Sequence, residues 1–210
     1  MRNIKKGDVP DYWLKLLKKH PHLKYTELDP NYITEKSQLK TRMLQEEQYY
    51  LCCYCCRSID YKHSHIEHFR SRDSYPKLEM AYNNMLISCY SGNSCGMQKK
   101  NSDFPQSISY EDWERRFAYT VGGFITASDN DPDTESVIRI LNLNNQELVK
   151  LRRAIYDECI KYAQWMGQDG KDYIRSNYIE ATEGHLPRFS PMVEFFFNRG
   201  DFDPDTLAAT

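Results

Sequence analysis

The sequence lacks any long apolar run. No stretch approaches the ~18 consecutive apolar residues that a membrane-spanning helix requires, and the opening segment MRNIKKGDVP contains no apolar signal core. We therefore expect a cytoplasmic protein without membrane contact. In that reducing compartment, clustered cysteines bind metal ions more often than they form disulfides.

The chain also lacks an excess of positive charge. Its 28 Lys and Arg residues are balanced by 30 Asp and Glu residues, for a net charge of −2. A protein that binds nucleic acid unaided usually carries net positive charge, because neutralising phosphates supplies much of its affinity. Residues 1–103 are mildly basic and residues 129–210 are acidic. We therefore expect that a partner protein presents any nucleic-acid substrate to this chain. The alternative, that local Arg and Lys residues suffice to bind the nucleic acid, stays open.

Internal repeats and low-complexity segments are absent from the sequence as well. A length of 210 residues with 40% hydrophobic and 28% charged residues is typical of a globular protein. It accommodates one compact domain or a small module within a helical body. We divide the chain into N-terminal helices (1–51), a central module (52–103) and a C-terminal region with a β-hairpin and helices (104–210).

The central module holds six of the seven cysteines. Cys52 and Cys55 form a C-x-x-C knuckle, and Cys89 and Cys95 form a second, wider loop. Structural zinc prefers four thiolates at tetrahedral corners, and two short thiolate loops supply that geometry. Metal binding would also contribute to the folding of so short a unit. The pattern therefore predicts a structural Zn²⁺ site.

The ligands of the first knuckle are not fixed by spacing alone. Cys53 and Cys56 form an identical C-x-x-C one position along the chain. The seventh cysteine, Cys159, lies on an apolar stripe with steps of three and four residues, which indicates a helix core and no function.

A second cluster, HIEHF, begins at His65. Its alternation predicts a short strand with Ile66 and His68 on one face and His65 and Glu67 on the other. We expect a turn at the end of the strand to bring Glu67 and His68 to one opening. Imidazole accepts a proton near neutral pH, and a carboxylate holds a divalent cation that a phosphate oxygen shares. On these residues alone, a surface strand with solvated charges remains the alternative.

These motifs, in this order, resemble the HNH endonuclease module. The resemblance is carried by C-x-Y-C (52–55), HIEHFRSR (65–72), NNMLISC (83–89) and CG-x-x-K (95–99). More narrowly, the chain resembles the HNH subunit of Septu-type anti-phage systems, the PtuB-like proteins, which also occur as retron effectors. FAYTVGGFITAS and the segment from DPDTES to LRRA extend the likeness to about residues 1–165.

The resemblance implies an α+β protein, mainly helical, that carries a zinc-braced ββα-metal (HNH) module. It also implies a role for each matching residue. His68 would be the general base, Glu67 the ligand of a catalytic cation such as Mg²⁺, and Asn84 the brace of the histidine loop. The remaining matches are phosphate contacts at Arg70, Arg72 and Lys99, and zinc ligands at Cys52, Cys55, Cys89 and Cys95.

One position departs from the family pattern. Many HNH modules carry a His or Asn metal ligand on the helix, three residues before the Lys, and that position is Gly96 here. Glycine has no side chain to bind a cation. Either Glu67 therefore binds with waters and substrate oxygens, or His65 or a nearby amide such as Asn93 or Asn101 substitutes.

The implied function is a metal-dependent endonuclease of phage defence. Its partners would be nucleic acid and an ATPase subunit, and in retrons also a reverse transcriptase with its DNA product. Two alternatives stay open. The same site would cut RNA such as tRNA instead of DNA, or the chain is a non-catalytic, zinc-braced adaptor that binds nucleic acid or the ATPase.

Local signals predict the main elements of the chain. The predictions are helices over 8–20, 29–50, 78–86, 96–101 and 111–116, a strand within 57–69, a loop over 89–95, a hairpin of 117–121 with 124–127, a long helix over 145–166, a helix over 171–183 and a frayed tail over 201–210. The helix over 96–101 is expected to place Lys99 over the mouth of the cleft.

Overall fold

The computed structural model describes residues 1–203 and 206–207, leaving aside the side chain of Pro30. The helices are α1 (Asp11–Lys19), α2 (Leu28–Asn31), α3 (Ile33–Arg42), α4 (Cys95–Lys99), α5 (Trp113–Arg116), α6 (Pro132–Ile140), α7 (Gln146–Met166), α8 (Gln168–Ile174) and α9 (Ser190–Arg199). The strands are β1 (Ser64–His68), β2 (Met85–Cys89), β3 (Phe117–Tyr119) and β4 (Ile125–Ala127). The α+β class expected from the sequence is confirmed.

The strands form two small antiparallel sheets. β1 pairs with β2 over its full length, from Ser64 opposite Cys89 to His68 opposite Met85. β3 pairs with β4, which confirms the predicted hairpin. Gly123 in the hairpin turn has a φ of +87°, and a Cβ there would lie 2.3 Å from the carbonyl oxygen of Val149. Glycine thus allows both the turn and the close approach of the hairpin to α7.

The helix or helical turn predicted over 78–86 is wrong at Met85 and Leu86, which belong to a strand. Short 3₁₀ turns occupy Pro76–Leu78 and Tyr82–Asn84, and β2 begins at Met85. Cys89, expected in a loop, is the last residue of that strand. All five residues of β2 are buried, so the segment has no polar face, and periodicity cannot distinguish such a buried strand from a helix.

The helix predicted over 29–50 is interrupted at both ends. Asp29 has non-helical backbone angles (φ −103°, ψ 127°), and the regular helix α3 begins only at Ile33. After Arg42 the chain continues as one wide helical turn and then stops, because Tyr49 and Tyr50 both adopt positive φ angles. Two consecutive left-handed residues end a right-handed helix.

The long helix α7 is confirmed. The side chain of Asn145 accepts a hydrogen bond from the backbone N–H of Leu148 and so caps its first turn. Cys159 is buried on its inner face together with Leu148, Ile155 and Ala163. The core role expected for this cysteine is therefore confirmed.

The buried side chains of all regions meet in one continuous core. Trp13 of α1, Trp113 of α5 and Phe196 of α9 are fully buried within it. Phe202 is also buried, in contact with the rings of Tyr156 and Phe196. The frayed tail is therefore wrong for 201–203, while 204–205 and 208–210 lie outside the described residues. The division into three regions stays a prediction.

None of the described helices combines the length and the apolar character that crossing a membrane requires.

Candidate metal centre and acid–histidine site

Four cysteines from two distant segments converge beneath the β1–β2 sheet. The Sγ atoms of Cys52, Cys55, Cys89 and Cys95 all lie within 4.8 Å of one another, and all four residues are buried. The sulfurs of Cys55 and Cys89 are 3.9 Å apart. Thiolates bound to zinc at about 2.3 Å occupy tetrahedral corners about 3.8 Å from one another. The donor set therefore fits Zn²⁺ closely.

Backbone hydrogen bonds hold the first knuckle against β2. The N–H of Cys53 donates to the carbonyl of Ile87, and the N–H of Cys56 donates to the carbonyl of Cys52. The N–H of Cys89 donates to the sulfur of Cys52 at 3.4 Å. Cys53 and Cys56 are buried but stand outside the four-sulfur group. The structure thus brings together the pair Cys52 and Cys55.

The electrostatics of the cluster favour one ionised sulfur even before a metal binds. Burial acts to raise the pKa of the Cys52 thiol, but hydrogen bonds from the surrounding cysteines hold that pKa well below its usual range. A thiolate is the form that binds zinc. The arrangement is therefore suited to metal capture.

Glu67 lies on the face of β1 that is turned toward α4. Its Oε1 accepts a hydrogen bond from the hydroxyl of Tyr54 at 3.2 Å and is 3.3 Å from Nζ of Lys99. Its Oε2 is 3.4 Å from Nε2 of His65. His65 and Glu67 thus share one face, as their spacing predicts.

Gly96 opens the space beside this pair. A Cβ at position 96 would lie 2.5 Å from Oε2 of Glu67 and 2.7 Å from Nε2 of His65. In addition, Nδ1 of His65 is buried and has no hydrogen-bond partner among the residues that the structure describes. A carboxylate oxygen and an imidazole nitrogen are donors that divalent cations accept. Glu67 and His65 are therefore the residues that could hold a second cation.

His68 lies on the other face of β1. Its ring meets the ring of Tyr25 edge-on, with centroids 4.5 Å apart. Its Nε2 is 2.9 Å from the carbonyl oxygen of Glu79. Because a carbonyl only accepts hydrogen bonds, Nε2 carries the proton, and Nδ1 is left with its lone pair. Burial lowers the pKa of His68 to about 4, so the imidazole is neutral at pH 7.

The sequence predicted a turn that brings Glu67 and His68 to one opening. The structure has no turn between these two residues. Regular pairing with β2 continues to His68. Side chains of successive strand residues point to opposite faces, so Glu67 and His68 have separate neighbours. The chain turns only after His68.

Asn84 holds the segment that follows His68. Its Oδ1 accepts from the N–H of Arg70 at 2.8 Å, and its Nδ2 donates to the carbonyls of Arg70 and Leu78. The carbonyl of Asn84 also accepts from the N–H of Phe69. The side chain is buried, so these bonds are shielded from water and fix the path of the chain as it leaves β1.

The three basic residues expected to contact phosphate have different surroundings. The guanidinium of Arg70 donates to backbone carbonyls of the loop at 104–108, which it holds in place. Lys99 is 1% exposed, and its Nζ donates to the carbonyl of His68. It lies inside the protein and not over the cleft mouth, because the charges of Glu67 and that carbonyl hold it there. Arg72 is exposed, with its guanidinium 5.0 Å from the ring centre of Tyr25.

A cleft of about 240 Å³ lies between α3 and β1. Its wall includes His65, the rings of Tyr25, Tyr61 and Tyr90, and the ammonium groups of Lys36 and Lys40. The Tyr61 and Tyr90 side chains are exposed, and the Tyr90 ring lies 4.9 Å from the ring of His65. Sequence analysis did not identify these tyrosines as site residues. The abundance of tyrosine in the chain was the only signal for them.

No protein-family model matches the chain, and no curated protein matches it.

Proposed function

We propose that this chain is a metal-dependent HNH endonuclease that hydrolyses phosphodiester bonds of nucleic acid. In this proposal it serves as the effector nuclease of an anti-phage defence system together with an ATPase partner. The observation that carries the proposal is a neutral histidine, its Nε2 hydrogen bonded to the carbonyl of Glu79, at the end of a strand whose preceding residue is a carboxylate.

The order of elements around the zinc centre supports an HNH module. The antiparallel strands β1 and β2 are followed by the short helix α4, whose first residue is the zinc-ligand candidate Cys95. The N–H of Gly96 donates to the Ser88 hydroxyl of β2. The resulting strand–strand–helix unit, closed at its base by four cysteines, has the order of a ββα-metal fold.

The roles of the residues follow from their chemistry. Nδ1 of His68 would take the proton from the attacking water, because burial keeps the imidazole neutral. Glu67 and His65 would hold the cation, which when bound supplies positive charge to the scissile phosphate. Asn84 would position His68 through the backbone that follows it. The exposed guanidinium of Arg72 is free to contact a neighbouring phosphate.

The tyrosine-lined cleft supports nucleic acid as the substrate class. Bases stack on aromatic rings, and lysines attract the phosphate backbone. Here Lys36 is paired with Asp29 and Lys40 donates to backbone carbonyls, so this surface offers little unbalanced positive charge. Together with the net charge of −2, this supports presentation of the DNA or RNA by the partner assembly.

The test is cleavage by the complex assembled with its ATPase, supplied with Mg²⁺ and offered DNA and RNA side by side. His68→Ala is expected to abolish cleavage while zinc content stays as in the wild type and the protein remains folded. His63→Ala is the matched control, because the His63 side chain is exposed and its ring pairs with Asp60 on the same loop. Equal cleavage by wild type and His68→Ala would refute the proposal.

A second candidate function is a zinc-braced adaptor without chemistry. One observation favours it: the Glu67 carboxylate is already neutralised by Lys99 and hydrogen bonded by Tyr54, so it is satisfied without a cation. The adaptor predicts that replacing Cys52 and Cys89 abolishes function, whereas replacing Glu67 and His68 does not.

A further inference from the structure

Arg152 of α7 is a buried charge without a carboxylate partner among the described residues. The residue is 3% exposed. Nη2 of its guanidinium donates to the carbonyl of Leu143, whereas Nη1 is buried and unpartnered within the described part of the chain. Guanidinium stays protonated in proteins, and buried charges are almost always compensated by an opposite charge. Arg152 therefore needs a source of negative charge nearby.

The backbone places Arg152 beside the four-cysteine cluster. The carbonyl of Leu141 accepts a hydrogen bond from the N–H of Cys95 at 2.9 Å, and two residues further the carbonyl of Leu143 accepts from Arg152. The turn that contains Leu141 and Leu143 thus contacts both the candidate zinc ligand Cys95 and the guanidinium of Arg152. Burial lowers the pKa of Arg152 from its usual range, and Tyr119, Cys55 and Cys95 are among the groups that oppose this lowering.

Other nearby groups do not supply the negative charge. Burial raises the pKa of the Tyr119 phenol well above its usual range, so this side chain is neutral at physiological pH. Four thiolates around Zn²⁺, by contrast, carry two negative charges in excess of the metal's positive charge.

We propose that Arg152 is the counter-charge of a zinc tetrathiolate formed by Cys52, Cys55, Cys89 and Cys95, and that it raises the affinity of this centre for zinc. Charged and hydrogen-bonding groups behind the ligands commonly determine how well a site holds its metal. In this role Arg152, almost 60 residues beyond Cys95 in the sequence, makes α7 an electrostatic part of the zinc site. It does not depend on nuclease activity.

Arg57 offers a useful contrast. It too has a buried, unpartnered nitrogen, Nε, near the cluster. Its guanidinium, however, forms an ion pair with Glu147 at 2.8 Å and is 23% exposed. Its charge is therefore already balanced, whereas Arg152 forms no ion pair with a carboxylate among the described residues.

The experiment measures zinc affinity by competition with a chromophoric chelator. Arg152→Gln keeps a donor for the Leu143 carbonyl but removes the charge, and it is expected to weaken zinc binding about 10- to 100-fold. Arg152→Lys keeps the charge and is expected to stay close to wild type. Arg153→Gln is the matched control, because the adjacent Arg153 is exposed and pairs with Asp157, and its zinc affinity should be unchanged.

Cobalt provides a second readout, which separates charge from folding. Each variant is loaded with Co²⁺, and its thiolate-to-metal absorption bands report an intact four-sulfur site independently of any activity. Intact bands with weaker affinity in Arg152→Gln alone support the proposal. Affinity of Arg152→Gln equal to wild type, or equal losses in Arg152→Gln and Arg152→Lys, would overturn it, since either result leaves Arg152 a packing residue. If Arg152→Gln fails to fold even with zinc while Arg152→Lys folds, the uncharged variant Arg152→Met is measured instead. Folding of Arg152→Met with near-normal zinc affinity would also overturn the proposal.

Discussion

Gly96→Ala adds a single methyl group to the candidate cation site. In the present geometry that methyl carbon would lie 2.5 Å from Oε2 of Glu67 and 2.7 Å from Nε2 of His65. Ordinary contacts between such atoms are longer by roughly 1 Å, so the carboxylate and the imidazole must move apart by about that distance. A displacement of about 1 Å in a reacting geometry costs on the order of 100-fold in rate.

The same substitution should leave the fold intact. Gly96 lies within α4 and has no positive φ, so alanine fits the backbone and is favoured in a helix by about 1 kcal/mol. Crowding a packed site opposes this by about 1–3 kcal/mol. The net loss of stability is therefore about 2 kcal/mol at most, and the three atoms nearest the added methyl group belong to Glu67 and His65, not to a cysteine.

The assays are Mn²⁺ binding by calorimetry, cleavage by the assembled complex, and zinc content. We expect Gly96→Ala to lose Mn²⁺ binding and about 100-fold in cleavage rate while keeping its zinc. Gly92→Ala is the control, since a Cβ at that position has no atom within 4 Å. Wild-type Mn²⁺ binding and cleavage in Gly96→Ala would mean that Glu67 and His65 do not form the cation site.

Three further predictions concern neighbouring residues. Cys55→Ser should lose zinc and much of the thermal stability, because structural zinc contributes on the order of 10 kcal/mol to folding, whereas Cys53→Ser should keep its zinc by metal analysis. Asn84→Ala removes three hydrogen bonds worth about 1 kcal/mol each, so denaturant unfolding should show a loss of about 3 kcal/mol, and exposed Asn83→Ala little change. Burial lowers the pKa of His68 from 6.5 to about 4, so the unfolded chain takes up a proton in this range that the folded chain does not; stability should fall by about 3 kcal/mol between pH 6.5 and pH 4, and His68→Gln should flatten this part of the pH profile.

Each of these three predictions has an outcome that would contradict it. Zinc loss in Cys53→Ser with retention in Cys55→Ser would mean that the other C-x-x-C pair binds the metal. Equal unfolding energies for Asn84→Ala and Asn83→Ala would show that the buried amide contributes nothing. An unchanged pH profile in His68→Gln would mean that another group causes the acid sensitivity.

Prediction from the sequence succeeded best where the chemistry of the residues fixes their geometry. Zinc ligands must meet at one point, so cysteine spacing predicted which distant segments converge. Helix α7 was predictable because Asn145 caps it and its apolar stripe recurs over five turns. The hairpin was predictable because Gly122 and Gly123 stand between two short β-prone runs. In each case a local pattern and the tertiary contact agree.

The wrong predictions have a different cause, which is that tertiary contacts outweighed the local pattern of the sequence. Strand β2 has no exposed face and thus no alternation. Lys99, charged and placed near the end of a short helix, was expected at the surface, but Glu67 and the carbonyl of His68 bind it in the interior. The left-handed backbone of Tyr49 and Tyr50 has no signature in a segment without glycine.

The two faces of β1 explain how a nuclease of this design would stay inactive. On one face, Glu67 is neutralised by Lys99; on the other, Tyr25 covers His68, which is only 8% exposed. Tyr25 in turn lies beneath the cations of Lys36 and Arg72. If His68 is the general base, a phosphate that attracts these two cations would draw them away from Tyr25. Tyr25 itself, which meets the ring of His68 edge-on, would still have to move before the base could reach a water molecule.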